Sequence, residues 1–307
     1  MLHHVGAASL DRLRTAFPTV EFVPVPPDQP FDTSVQGEVL LTTAIGGAHL
    51  DEVLAGGVRW VHTIGTGVDR FPLASIAPGQ QLTCSRSASA IPISEWVLAV
   101  MLAFEKQLPD MWLQAAPDSW FRASLGGLHG RRLAVLGLGS IGVEVARRAL
   151  AFGMEVRGLR RSMRPAEIDE IEVVADARAA VDGAHHVVIA APGTAETRHL
   201  VDADLLAAMR PGVHLVNIAR GSLIDQDALR VALDEGVVAR ASLDVADPEP
   251  LPAGHWMYEH PGIRLSPHIS WSMPESDDLL YGTFRANLTR WLAGEPLEGV
   301  VDVAAGY

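Results

Sequence analysis

The 307-residue sequence has a single cysteine, Cys84, and a single lysine, Lys106. One thiol cannot close a disulfide within the chain, and it excludes zinc sites built from several thiolates. A reducing, cytoplasmic compartment is the expectation that follows. Lys106 trails the apolar run 96–104, a poor place for an amine to form a Schiff base, so that chemistry is set aside. No stretch of about 20 apolar residues occurs, and the first ten residues hold two histidines but no signal-peptide core, so a soluble protein is expected. Basic side chains are also scarce: 24 lysines and arginines face 37 acidic residues, for a formal charge of -13. That balance argues against nucleic acid or an anionic membrane as a partner. A small anionic substrate would have to be attracted by local groups.

A chain of this length exceeds what one hydrophobic core usually serves, so two domains are expected. Short apolar runs alternate with helix-like segments, the pattern of parallel sheets covered by helices on both faces. Residues 20–25, 39–43 and 60–64 read as strands, with Pro24, Pro26, Pro27 and Pro30 stiffening the loop after the first. Residues 94–107 are apolar at helical spacing. From residue 133 the alternation is regular: strands at 133–136, 154–159, 186–191, 213–218, 238–245 and 263–265, and helices at 141–152, 203–209 and 226–235. A last helix spans 274–291. The reading is α/β with two doubly wound domains, in which a Rossmann dinucleotide-binding domain (94–271) is inserted into a smaller, flavodoxin-like substrate domain (1–93 and 272–307).

Gly137-Leu138-Gly139-Ser140-Ile141-Gly142 matches G-x-G-x-x-G between a strand and an amphipathic helix, the context in which this pattern carries information. Gly137 suits the tight turn, Gly139 lets backbone approach a pyrophosphate, and Gly142 permits close helix packing. The helix N-terminus, with Ser140 and Ile141, then offers N–H groups to phosphate. An acidic residue about 20 positions on would bind the ribose 2′-hydroxyl of NAD. Here the second strand runs instead into Arg160-Arg161-Ser162, two guanidiniums and a hydroxyl suited to a 2′-phosphate. NADP is therefore the expected cofactor, with NAD as the alternative.

Three further segments follow strand ends: Asn217-Ile218-Ala219-Arg220-Gly221, Asp244-Val245-Ala246-Asp247-Pro248-Glu249-Pro250, and Ser266-Pro267-His268-Ile269-Ser270. Ligands bind beyond the carboxyl ends of such strands, so the three can converge. With the glycine loop they resemble the D-isomer-specific 2-hydroxyacid dehydrogenase family, which includes glyoxylate and hydroxypyruvate reductases and phosphoglycerate dehydrogenase. The resemblance implies that Arg220 holds the substrate's carbonyl and carboxylate, that His268 is the acid-base group and that Glu249 is its carboxylate partner. It further implies that Asp244 meets the nicotinamide carboxamide, that Ile218 and Ala219 line the nicotinamide side, and that Ala191 and Pro192 contact the adenosine half. Backbone N–H groups of Gly65, Thr66 and Gly67 would bind the substrate carboxylate, and Trp271 would wall the pocket. One departure is Pro192-Gly193-Thr194, where the family carries a bulkier central residue, which implies a looser adenine pocket.

Chemistry independent of the resemblance agrees. Reducing a keto group needs a proton at oxygen as hydride reaches carbon, and histidine titrates nearest neutrality. A fixed guanidinium orients a 2-keto acid and stabilises a developing alkoxide. The expected activity is hydride transfer between NADP(H) and a small 2-keto acid, giving the D-isomer, with glyoxylate or hydroxypyruvate favoured. The expected partners are that substrate and a second copy of the chain. The pairs His3-His4 and His185-His186 lack motif context, and no metal is expected. The competing reading is a redox-sensing regulator of the same fold, or an NAD-dependent family member with another substrate.

Overall fold

The computed structural model describes residues 1–120, 124–161 and 165–307, in two compact units: Met1–Ser89 with Met273–Tyr307, and Ala90–Ser272. Ser162 of the expected cofactor set lies outside the described residues.

In the first unit the elements run β1 (Leu2–His3), α1 (Ala7–Ala16), β2 (Val23–Pro24), β3 (Val39–Thr43), α2 (Leu50–Ala55), β4 (Trp60–Ile64) and β5 (Gln81–Cys84). The sheet is parallel in the order β2-β1-β3-β4-β5, the flavodoxin-like arrangement of a doubly wound fold. The strand expected over 20–25 is reduced to two residues, because Pro24 lacks the N–H a longer ladder would need.

The second unit begins with α3 (Ala90–Glu105), β6 (Arg132–Leu136), α4 (Ser140–Ala151), β7 (Glu155–Leu159), β8 (Ile171–Val174) and α5 (Ala177–Val181). It continues with β9 (His186–Ile189), α6 (Ala203–Ala207), β10 (Val213–Asn217), α7 (Gln226–Asp234), β11 (Val238–Leu243) and β12 (Ile263–Leu265). The final helix, α8 (Ser276–Ala293), closes the first unit, where Phe284 stacks on Trp60 with ring centroids 5.5 Å apart. Helix α3 starts four residues before the expected domain boundary. Pro92 sits in its first turn, where a missing N–H costs nothing.

The seven strands of the second unit are parallel in the order β12-β11-β10-β9-β6-β7-β8, the doubly wound Rossmann pattern with one added strand. β9 and β10 are buried along their whole length, as strands covered on both faces must be, and one apolar core lies on each face. Asp176, Asp202 and Asp225 cap α5, α6 and α7 by accepting first-turn N–H groups. Of the histidines without motif context, His186 is structural: buried, it pairs through Nε2 with Glu105 (3.0 Å) and through Nδ1 with His214 Nδ1 (3.2 Å), and His214 reaches Ser242 Oγ at 2.9 Å.

Candidate active site

The glycine loop is built by close backbone approach. Gly137 adopts φ +115°, and a Cβ there would lie 2.5 Å from Ala191 N; a Cβ on Gly142 would lie 2.0 Å from Gly137 O. No side chain but hydrogen fits either position. Gly139 differs: nothing lies within 4 Å of its Cβ position, no side chain caps α4, and no acidic residue occupies its first turn. The first N–H groups of a 12-residue helix therefore open onto free space, which fits a pyrophosphate. Ala191, buried, and Pro192, exposed, follow β9 beside this turn.

At the end of β7, Arg160 is half-buried and spends one N–H on Pro165 O (3.1 Å), while Arg161 is exposed. A guanidinium has five donors, so Arg160 keeps others for an anion.

Arg220, Glu249 and His268 follow β10, β11 and β12, three neighbouring strands, at their carboxyl edge. Asn217 fastens the first of these turns. Its amide donates to Arg220 O (2.8 Å), and its oxygen accepts from Ala219 N (3.0 Å). Asn217 belongs to the strand-end motif Asn217–Gly221, and an amide placed to close a strand-end turn is the sequence signal for this role. Gly221 lets this turn meet the next, since a Cβ there would lie 2.0 Å from the Ala246 carbonyl carbon. Glu249 accepts from Ala246 N through Oε1 (3.2 Å) and pairs through Oε2 with His268 Nδ1 (3.0 Å). The imidazole is thus oriented by a carboxylate that is itself held, with its side chain 40 % exposed to receive a ligand.

The fold also sets the surroundings of Ile218, Ala219, Gly193 and Asp244. Ile218 and Ala219 are buried, each packed in one of the two cores. Gly193 leaves room for the arginine: a Cβ there would lie 2.9 Å from Arg220 Cγ. Asp244, 1 % exposed, turns its carboxylate onto the segment that carries His268. Oδ1 accepts from Ser266 Oγ (2.6 Å) and Ile269 N (2.9 Å), and Oδ2 from Ser270 N (2.9 Å).

Gly65, Thr66 and Gly67 follow β4 in the first unit, all half-buried. Gly65 has φ +127° and accepts from Ser85 N (2.9 Å), and Thr66 Oγ1 donates to Ser85 O (3.4 Å). Behind them, Trp60 Nε1 donates to Thr83 Oγ1 (2.8 Å), which lies 2.7 Å from His62 Nδ1; His62 Nε2 reaches Ser85 Oγ (3.3 Å), and Ser85 Oγ reaches Leu280 O (2.9 Å). Because the Ser85 hydroxyl donates to Leu280 O, it accepts from His62 Nε2, which puts the proton of the neutral ring on Nε2 and leaves Nδ1 to accept from the Thr83 hydroxyl. Burial holds the His62 pKa down, at about 3.

A Rossmann sheet with a free glycine-loop helix end and a carboxylate-paired histidine at its ligand edge defines a dinucleotide-dependent oxidoreductase. Residues 98–270 match the family model described as "D-isomer specific 2-hydroxyacid dehydrogenase, NAD binding domain". The chain is 32 % identical over 269 residues to a glyoxylate/hydroxypyruvate reductase A of Serratia proteamaculans, covering 83 % of this chain and 84 % of that protein. It is also 32 % identical to a D-3-phosphoglycerate dehydrogenase of Methanocaldococcus jannaschii, over 78 % of this chain but only 46 % of that one. Two crystal structures superpose over its full length and 99 % of their own. One is a D-isomer specific 2-hydroxyacid dehydrogenase from Xanthobacter autotrophicus in complex with NADPH (TM-score 0.85, 26 % identity). The other is an NADPH-dependent glyoxylate/hydroxypyruvate reductase from Sinorhizobium meliloti with NADP (TM-score 0.84, 26 % identity). The chain belongs to the D-isomer specific 2-hydroxyacid dehydrogenase family, whose members are NAD(P)-dependent oxidoreductases of 2-hydroxy acids.

Proposed function

We propose that this protein reduces a small 2-keto acid, glyoxylate or hydroxypyruvate, to the D-2-hydroxy acid with NADPH. The observation that carries the reading is the His268–Glu249 pair, 3.0 Å apart on strand ends beside Arg220. When bound, the dinucleotide supplies the hydride. His268, held through Nδ1 by Glu249, delivers a proton from Nε2 to the keto oxygen. Arg220 binds the carboxylate and steadies the charge that develops on that oxygen.

The preference for NADPH rests on Arg160 and Arg161, which stand where an NAD enzyme presents a carboxylate. The NADPH-bound relatives support it, as does the reductase of Serratia for the substrate class. A homodimer in the cytoplasm is part of the same reading. Met111, Trp112, Leu113, Trp120 and Leu125 are all exposed on the segment between α3 and β6, an apolar surface suited to a second copy. Steady-state reduction of a panel of 2-keto acids with NADPH and NADH tests the assignment. Glyoxylate or hydroxypyruvate with NADPH should give the highest kcat/KM; no turnover with any 2-keto acid would refute it.

A further inference from the structure

His268 sits at φ +57°, in the left-handed region that residues with a side chain occupy sparsely. Something must hold it there, and the peptide that follows it is held from both sides. Its N–H, that of Ile269, donates to Asp244 Oδ1 (2.9 Å). Its C=O, that of His268, accepts from Trp271 Nε1 (2.9 Å). A turn closed by Ser272 N donating to Ile269 O (2.9 Å) brings the indole N–H back to the His268 carbonyl. Upstream, His268 N donates to Asp244 O (2.8 Å).

The plane before His268 sets its φ and is held by His268 N on Asp244 O; the plane after it sets ψ, and turning that plane about Cα–C would change ψ of His268 and φ of Ile269. Both polar groups of that plane would have to break their bonds to do so. Only with both planes held is the Cα of His268 fixed, and with it the direction in which the imidazole leaves the backbone toward Glu249.

We propose that Trp271 is a positioning residue: its indole N–H, opposite the Asp244 carboxylate, clamps the peptide between His268 and Ile269 and so fixes the imidazole. This rests on the reading of His268 as the proton donor. It differs from a role as pocket wall, because a clamp acts on every substrate alike and a wall acts according to substrate size.

The test is Trp271→Phe, which keeps an aromatic ring and deletes the donor, assayed with glyoxylate, pyruvate, hydroxypyruvate and 2-oxobutyrate. The clamp predicts that kcat falls about three- to tenfold for all four, the worth of one neutral hydrogen bond, while the KM for NADPH stays unchanged. An unchanged kcat, or KM values that shift in step with side-chain size at constant kcat, would overturn it. Should the phenylalanine variant fail to fold, 3-benzothienylalanine at position 271 keeps the indole outline and removes only the N–H, with the same two outcomes. A wild-type enzyme that reduces no 2-keto acid would refute the assigned activity instead. A wild-type rate in Trp271→Phe beside an inactive His268→Gln would refute the clamp alone.

Discussion

Acid should weaken the first unit through one ring. His62 is fully buried on β4 between Trp60, Thr83, Ser85 and Phe284, and burial alone carries its pKa from the usual 6.5 down to about 3. A lowered pKa means that the folded chain refuses a proton that the unfolded chain accepts. Stability from this group is therefore complete above about pH 6.5 and drains away as the pH falls toward 3. Within that window each pH unit costs about 1.4 kcal/mol, so passing from pH 7 to pH 4.5 removes roughly 2.5 kcal/mol. That is a large part of the ~5–15 kcal/mol by which domains are stable. Urea unfolding of the wild type and His62→Gln at these two pH values measures the effect. The variant should be the less stable at neutral pH, having lost a fitted ring, yet should lose roughly 2.5 kcal/mol less on acidification. His185 and His214, whose pKa values burial also lowers, are common to both proteins and cancel in the difference. Equal losses in the two proteins would refute the argument.

His268→Gln should leave NADPH binding, measured by fluorescence titration, within about twofold while cutting kcat by a factor on the order of 100 to 10,000. Exchanging Arg160 for Asp and Arg161 for Gln should lower kcat/KM with NADPH at least about tenfold and hold or raise it with NADH; an unmoved ratio would leave the pair as a solvated loop. Gly142→Ala should abolish dinucleotide binding in calorimetry or destabilise the chain, because its methyl would sit 2.0 Å from Gly137 O.

What could be read from the chain was whatever depends on local chemistry. The turn from Gly137 to Gly142 is dictated by steric need at fixed spacing, and the order of Arg220, Glu249 and His268 follows strand ends that apolar runs reveal. Elements too short to show a period escaped: β1 has two residues, β8 four and α5 five. Longer α1 escaped as well, its sequence of alanines, arginines and an aspartate carrying only a weak apolar stripe. The protein partners of Asp244 escaped for a different reason. A carboxylate at a strand end looks the same in sequence whether it faces a ligand or the backbone of a loop 25 residues away; only the fold shows Ile269 N and Ser270 N reaching it. The direction of the Trp271 N–H, and the stem of Arg220 lying over Gly193, are likewise facts of the fold.

The strand order β12-β11-β10-β9-β6-β7-β8 separates two kinds of change. Arg160 leaves β7 and His268 leaves β12, five strand intervals apart, or about 24 Å at ~4.8 Å per interval. Beyond about 10 Å, substitutions without shared partners add their free energies with little interaction. A lineage of such enzymes can therefore exchange one dinucleotide for the other by drift at the far rim of the sheet, with the proton chemistry untouched. It can equally retune its substrate near His268 without renegotiating which reductant the cell must supply.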